Sequence, residues 1–526
     1  MPLSRKTKII STIAVLGALT IGIVYFFQSY RAQNQTKVRK EFETILSQAE
    51  LFKDVQLDSA LYYANAAFQL VKEEPAMELE KNTASLIRSE IKFLKSGASD
   101  KLYQEVENCE NWFRKRKQYE QAFWANLLRL RIKSFLKGKV SVSGDMDGLL
   151  RTANLSGSNN SKANAYYFKM EKRDFTRKWE DDVHILDSAR IFALKENDSI
   201  LLGKIRLLSV LPVNGGPASF DSTFLSLREA EKWNSSELKC LSYQSLGLEF
   251  MPSKKMSDSA IHYLNEGIKV AEKWGSSPSS TFSKHRKVMV YSYAAETDKM
   301  TAYGTSIIEE LRKTNDRETE LELLKNIAKG FFYKQEFSNG INYAIEAVNI
   351  AEELNDEMST FSAQRVLTHF LMESDRIAEA KKIASQLLLW AKGRERTVAN
   401  NVLLSNAFYL NGAVYSESGE LDEALYFFRE AKDHLKKHSG NQKFSIERSI
   451  LQVLLKQNDS ESIRKQYDYI QSTYNENFTW SPKFLFLKGK VLQLEGKDIE
   501  AISIYDSLIG LGTVSYTHLR AHETLV

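Results

Sequence analysis

The chain is 526 residues long, 43% hydrophobic and 26% charged, with a formal net charge of +5. This composition excludes a disordered, collagenous or multi-span membrane protein. The only cysteines, Cys109 and Cys240, exclude a disulfide framework or a cysteine-rich metal site. With only 7 Pro and 24 Gly, the chain has too few turn residues for an all-β protein of this length, so the balance favours helices.

In chain order, residues 1–8 form a short basic tail with Arg5, Lys6 and Lys8. Residues 9–30 carry no charge, and Ile9 to Phe27 is almost wholly apolar. As a helix, that run spans about 28 Å, close to the hydrocarbon thickness of a bilayer. It predicts a transmembrane anchor, with Tyr25, Phe26, Phe27 and Tyr30 at one interface. A cleaved signal peptide fits less well, because the core is long and FFQSYRAQ offers no small-x-small step. The basic tail places the N-terminus in the cytoplasm. The expected location is therefore a single-pass protein of the bacterial inner membrane with its body on the periplasmic side. Seven of the 72 basic residues and none of the 67 acidic ones precede position 41, so the remainder is nearly neutral. By charge this body is not a nucleic-acid binder.

Residues 31–56 read as a juxtamembrane segment and first helix. Residues 57–239 read as degenerate helical repeats. Leu57–Leu70 and Leu186–Asp198 both look like second helices of a pair, and the tag AEKW at Ala230–Trp233 returns at Ala271–Trp274. LSGSNNSK (Leu155–Lys162) and LPVNGGP (Leu211–Pro217) read as loops.

Residues 240–512 repeat more regularly. Phe408–Leu435 shows Asn411-Gly412, Tyr415, Gly419 in a turn, then Ala424, Phe428 and Ala431. Gly412 and Ala424 are small where two helices cross closely, whereas Tyr415 and Phe428 fill the space between them. Similar sets occur at Tyr243–Gly267, Leu324–Ala347, Leu367–Leu387 and Gly489–Leu508. The residues opening the second helices are Ala260, Gly340, Ala380, Ala424, Ile463 and Ala501, with a weaker unit near Ala302. The mean period is about 40 residues.

This pattern resembles the tetratricopeptide repeat, W-x2-L-G-x2-Y followed by A-x3-F. The resemblance implies an all-α fold: a tetratricopeptide-like α-solenoid of antiparallel helix pairs, here behind the N-terminal transmembrane helix. The match is clearest over 240–510 and looser before it, and the period exceeds the common 34 residues. The last residues, 513–526, break the pattern and resemble a translated sequencing adapter, so they are set aside from fold reasoning.

No HExxH, phosphate loop, nucleophile elbow or CxxC pair is present. His434 and His438 flank two lysines and suit a basic last helical turn better than a metal site. The expectation is therefore no enzyme, no cofactor and no metal. In such arrays function lies on the concave face built by the first helices. Excluding packing positions leaves Lys325, Lys329, Tyr333, Arg365, His369, Tyr409 and Lys490 as peptide-binding candidates. Basic residues beside aromatics suit an acidic or C-terminal-carboxylate peptide. Lys325-Asn326 resembles part of the carboxylate clamp known in the family, but the remaining Asn positions do not match. The expected function is a membrane-anchored interaction scaffold for a protein or peptide. The alternative is the sensor part of a bacterial signal-transduction protein, a histidine kinase or DNA-binding regulator whose output domain lies downstream.

Overall fold

The computed structural model describes residue 25 and residues 33–173, 179–210, 220–251, 254–394, 398–435, 440–474 and 481–510. These residues are helical with short turns, and no strand occurs among them. The helices alternate as antiparallel pairs. The first pairs are α1 (33–53) with α2 (Leu57–Val71), α3 (Glu78–Ser96) with α4 (Asp100–Lys115), and α5 (Tyr119–Lys137) with α6 (Met146–Ser156). Next come α7 (Asn159–Glu171) with α8 (Trp179–Lys195), α9 (Ser199–Val210) with α10 (Phe220–Lys232), and α11 (Ser236–Phe250) with α12 (Ser257–Trp274). These are followed by α13 (Ser277–Tyr293) with α14 (Thr297–Arg312), α15 (Arg317–Tyr333) with α16 (Phe337–Glu353), and α17 (Glu357–Glu373) with α18 (Ile377–Lys392). The last are α19 (Val398–Glu417) with α20 (Leu421–Asp433), α21 (Gly440–Gln457) with α22 (Ser460–Thr473), and α23 (Pro482–Leu494) with α24 (Asp498–Gly510).

Small-against-large packing closes the pairs. A side chain at Gly412 would lie 2.8 Å from the Phe428 ring, one at Gly247 2.6 Å from Leu264, and one at Gly489 2.5 Å from Tyr505. The same register recurs in three pairs because only glycine lets the bulky residue of the second helix reach the first helix's backbone.

The turns carry a signal that extends into the N-terminal half. Left-handed residues end helices at Gly157, Asn197, Asn234, Gly275, Asn315 and Asn355, each about one repeat after the last. The next residue often caps the following helix. Asp198 accepts from the Leu201 amide at 2.9 Å, Asp316 from Thr319 at 3.2 Å, and Asp459, after left-handed Asn458, from Ser462 at 3.2 Å. A two-residue Asn-Asp step thus ends one helix and starts the next. LSGSNNSK, read as a loop, holds an equivalent two-residue step, Gly157-Ser158: α6 runs to Ser156, α7 starts at Asn159, and the Ser158 hydroxyl accepts from the Ser161 amide at 3.3 Å. Asn355→Gly is expected to shift the urea midpoint little, within about 0.5 kcal/mol, because glycine keeps the left-handed turn. Asn315→Gly is expected to cost about 1 kcal/mol, because the Asn315 Nδ2–H···O bond to Ala98 at 2.8 Å is lost as well.

The expected transmembrane helix and single-pass inner-membrane location are corrected. Among the described residues, no helix is long and apolar enough to cross a membrane. Many of the described helices, such as α3 and α4, bury one stripe in the array and turn the rest toward water, whereas α11 is buried on most sides. Even α5, which is 19 residues long, carries Glu120, Arg129, Arg131, Lys133 and Lys137. Residues 9–30, apart from Tyr25, and the tail 513–526 lie outside the described residues.

The described residues form two compact units, one within Met1–Lys334 and Asn349–Asp356, the other within Gln335–Val348 and Glu357–Val526. Solenoid repeats ordinarily contact only their neighbours, but the first unit folds back on itself. The Trp274 indole donates to the Lys53 carbonyl at 2.7 Å, and the Ser236 amide donates to the Asp54 carbonyl at 3.0 Å. The Ser276 hydroxyl donates to the Leu94 carbonyl at 2.7 Å, the Ala98 amide to Thr314 at 3.0 Å, and the Lys139 amide to Glu318 at 2.6 Å. An apolar cluster seals the seam, with Ala49, Leu57, Ala60, Ala64 and Ile91 packed with Cys240, Ala271 and Trp274. Pair one therefore meets pair six, and the array closes a turn.

Candidate functional site

In each unit the first helices of successive pairs touch one another. In the second unit the Tyr409 and Ser449 hydroxyls join α19 to α21 at 3.2 Å, and the Phe444 and Phe484 rings join α21 to α23 at 5.8 Å. The first helices therefore line a common inner face, and side chains one and two turns apart on each helix share it.

The sequence candidates divide between the units. Lys325, Lys329 and Tyr333 lie on α15 in the first. Lys325 is only 6% exposed and pairs with Glu322 at 2.6 Å. Burial would raise the Glu322 carboxyl, but Lys325, then His285 and Lys329, outweigh it and hold that carboxyl below its ordinary value. Tyr333 is 65% exposed at the end of α15. This part of the face is largely satisfied from within. Half-buried charges elsewhere in the first unit are also matched: Lys204 pairs with Glu237 at 2.6 Å and Lys53 with Glu90 at 3.0 Å.

Arg365, His369, Tyr409 and Lys490 lie in the second unit, whose inner face has a different balance. Burial, then Arg365 and Lys483, pushes the His369 imidazole down to about 4, so it is neutral at pH 7. Burial and then Arg448 hold Lys483 below the usual lysine range, and burial and then Lys456 do the same to Lys490. Among the described residues no carboxylate pairs with Arg448, Lys483 or Lys490. Lys456 is held by the Ser416 carbonyl at 3.0 Å and by Glu417 at 3.2 Å. The Lys490 ammonium lies 5.0 Å from the Phe486 ring centroid, and the Tyr409 ring packs 5.4 Å from Phe428.

α17, α21 and α23 thus crowd cations on one face, with aromatic rings beside them. The sequence candidates here are Arg365, His369, Tyr409 and Lys490; Arg448 and Lys483 were not among them. Lys483 stands seven residues before Lys490 on the same helix, a spacing that puts both on one side. That spacing was the available signal. Among the described residues, no group of three or more His, Cys, Asp or Glu could hold a metal ion. His434 stacks on Phe408 at 5.3 Å instead, and His438 lies outside the described residues.

No protein-family model and no curated protein matches the chain. Among solved structures, it is similar to the apo form of RapI, with a TM-score of 0.50, 14% identity, and coverage of 68% of this chain and 99% of that one. The fold is a tetratricopeptide-type solenoid. Other similar structures include a Rap protein complexed with competence and sporulation factor, at TM-score 0.45, 12% identity, and coverage of 67% of this chain and 97% of that one. A signal-transduction ATPase with a tetratricopeptide repeat sensor from Pyrococcus horikoshii gives 0.47 at 12% identity, covering 81% of this chain and 73% of that one.

Proposed function

We propose that the chain is a protein-interaction scaffold whose second unit binds an acidic peptide, or an acidic segment of a partner protein, on the inner face of α17, α19, α21 and α23. The observation that carries this reading is that Arg448, Lys483 and Lys490 have no paired carboxylate among the described residues, while burial first, and then Arg448 and Lys456 in turn, hold the Lys483 and Lys490 ammonium groups below the usual lysine range. Cations held together without matching carboxylates repel one another, and an anionic ligand would relieve that repulsion on binding. The Tyr409 and Phe486 rings offer apolar surface to the ligand backbone.

The test is fluorescence anisotropy of the full chain with a labelled glutamate-rich peptide and a lysine-rich control. The acidic peptide is expected to bind and the control not to. Affinity should fall as salt rises from about 50 to about 200 mM, because exposed charges are then screened. Lys483→Glu is expected to weaken binding at least tenfold, about 1.4 kcal/mol. Arg151→Glu, at an exposed position of α6, should leave it unchanged. Equal binding of both peptides, or no loss in Lys483→Glu, would reject the assignment.

A further inference from the structure

In the second unit, the residues of a second helix that meet the following first helix fall at fixed places. Two before the opening residue Ala424, Asp422 accepts from Gln457 of α21 at 2.7 Å. One after the opening residue Ala380, the Lys381 ammonium lies 4.7 Å from the Tyr415 ring centroid of α19. Eight after Ala424, Lys432 pairs with Glu447 of α21 at 2.9 Å. Helical spacing puts these three places on one side of a helix. Where they are apolar in the inner pairs, at Val348, Leu388 and Leu425, they are buried. On α24 the same three places, counted from Ala501, hold Ile499, Ile502 and Ile509, which are 87%, 51% and 53% exposed. The side of α24 that corresponds to a helix-covered side elsewhere is thus both apolar and open.

An isoleucine stripe at helical spacing on an outer face marks a docking surface. Its charges say what docks there. α24 carries Asp498, Glu500 and Asp506 and no basic residue. None of the three forms an ion pair among the described residues, and the neighbouring Lys497 is taken by Glu495 at 2.8 Å. Two copies of this face would set like charges against each other, which disfavours self-association. We propose that the outer face of α24 docks an amphipathic helix of a partner protein, with an apolar stripe against Ile499, Ile502 and Ile509 and lysine or arginine flanks against Asp498, Glu500 and Asp506. The partner helix takes the place on α24 that α19 takes on α18 and α21 takes on α20. This surface belongs to a second helix and is separate from the peptide face, which first helices build.

The experiment is fluorescence anisotropy of the full chain with three labelled helical peptides. The first has leucines at i, i+3, i+4 and i+7 with lysine flanks. The second keeps the leucines and has glutamine flanks, and the third is the first with its leucines scrambled. The first is expected to bind, the second at least about tenfold more weakly, and the third not at all. Ile502→Lys and Ile509→Lys should each weaken the first peptide at least about tenfold. Both positions are exposed, so the urea midpoint should stay that of the parent chain. Lys483→Glu, which removes the peptide face, should leave this binding intact, so the two readings fail separately. No binding of the first peptide, equal affinity for the glutamine-flanked or the scrambled one, or unchanged affinity in Ile502→Lys would overturn the proposal. So would a parent chain that is dimeric by light scattering and monomeric in Ile502→Lys, because a second copy would then cover the face.

Discussion

Replacing Trp274 with alanine is expected to cost about 3–5 kcal/mol of stability and to release the closed turn of the first unit. The side chain is 1% exposed and is the largest in the cluster that seals the seam. Its removal leaves a cavity bounded by residues from both ends of the turn, which cannot collapse without moving α1 or α11. The indole also donates to the Lys53 carbonyl, so alanine leaves that buried acceptor unpaired. Trp274→Phe keeps most of the apolar volume and should cost markedly less. Urea unfolding measures the loss, and hydrogen exchange locates it. Protection should fall at residues 49–64 and 236–250, which meet across the seam, and change little in α21 and α23. A loss spread evenly over the chain would contradict a local seam.

Gly97→Ala is expected to be nearly as damaging, costing about 2–3 kcal/mol or more, because two penalties combine. Gly97 has φ 89°, a region that side chains other than hydrogen rarely occupy. A Cβ there would overlap the Thr314 carbonyl, which is the acceptor for the Ala98 amide. The backbone of residues 314–315 would have to withdraw, breaking both that bond and the reciprocal Asn315–Ala98 bond. Limited proteolysis should then cut at 96–100 and 313–316, where the parent chain resists. By contrast, Gly157→Ala meets open space and should cost only the left-handed backbone penalty of about 1 kcal/mol.

These two residues show where the sequence was legible and where it was not. The helix pairs of the C-terminal half could be read because Gly412, Ala424 and Phe428 pack within one pair, and local contacts leave a local pattern. The seam could not be read. Trp274 and Lys53 are 221 residues apart, and nothing near either residue indicates the other. The N-terminal half seemed degenerate because its apolar stripes are irregular, yet its turns keep the period through Gly157, Asn197 and Asn234. Turn chemistry was the stronger signal there, since left-handed geometry accepts few residue types whereas a helix core accepts many.

The candidate face was half legible for a similar reason. Position on a first helix identified Arg365, His369 and Lys490, but burial and partnering are tertiary facts. Lys325 occupies the corresponding place on α15 and is tied to Glu322, whereas Lys483 was overlooked and stands among cations. The apolar run before residue 31 suggested an anchor from composition alone. The described helices contain no such span.

The central claim, that the inner face of the second unit receives an acidic peptide, is tested most directly by photo-cross-linking. A glutamate-rich peptide carrying a photoreactive group is bound to the full chain, irradiated, and the cross-linked residues are identified by mass spectrometry. The account predicts cross-links on α17, α19, α21 and α23, clustered near His369, Tyr409, Arg448 and Lys483 and lost in Lys483→Glu. Cross-links confined to the second helices α18, α20 and α22, or a pattern unchanged by Lys483→Glu, would contradict it.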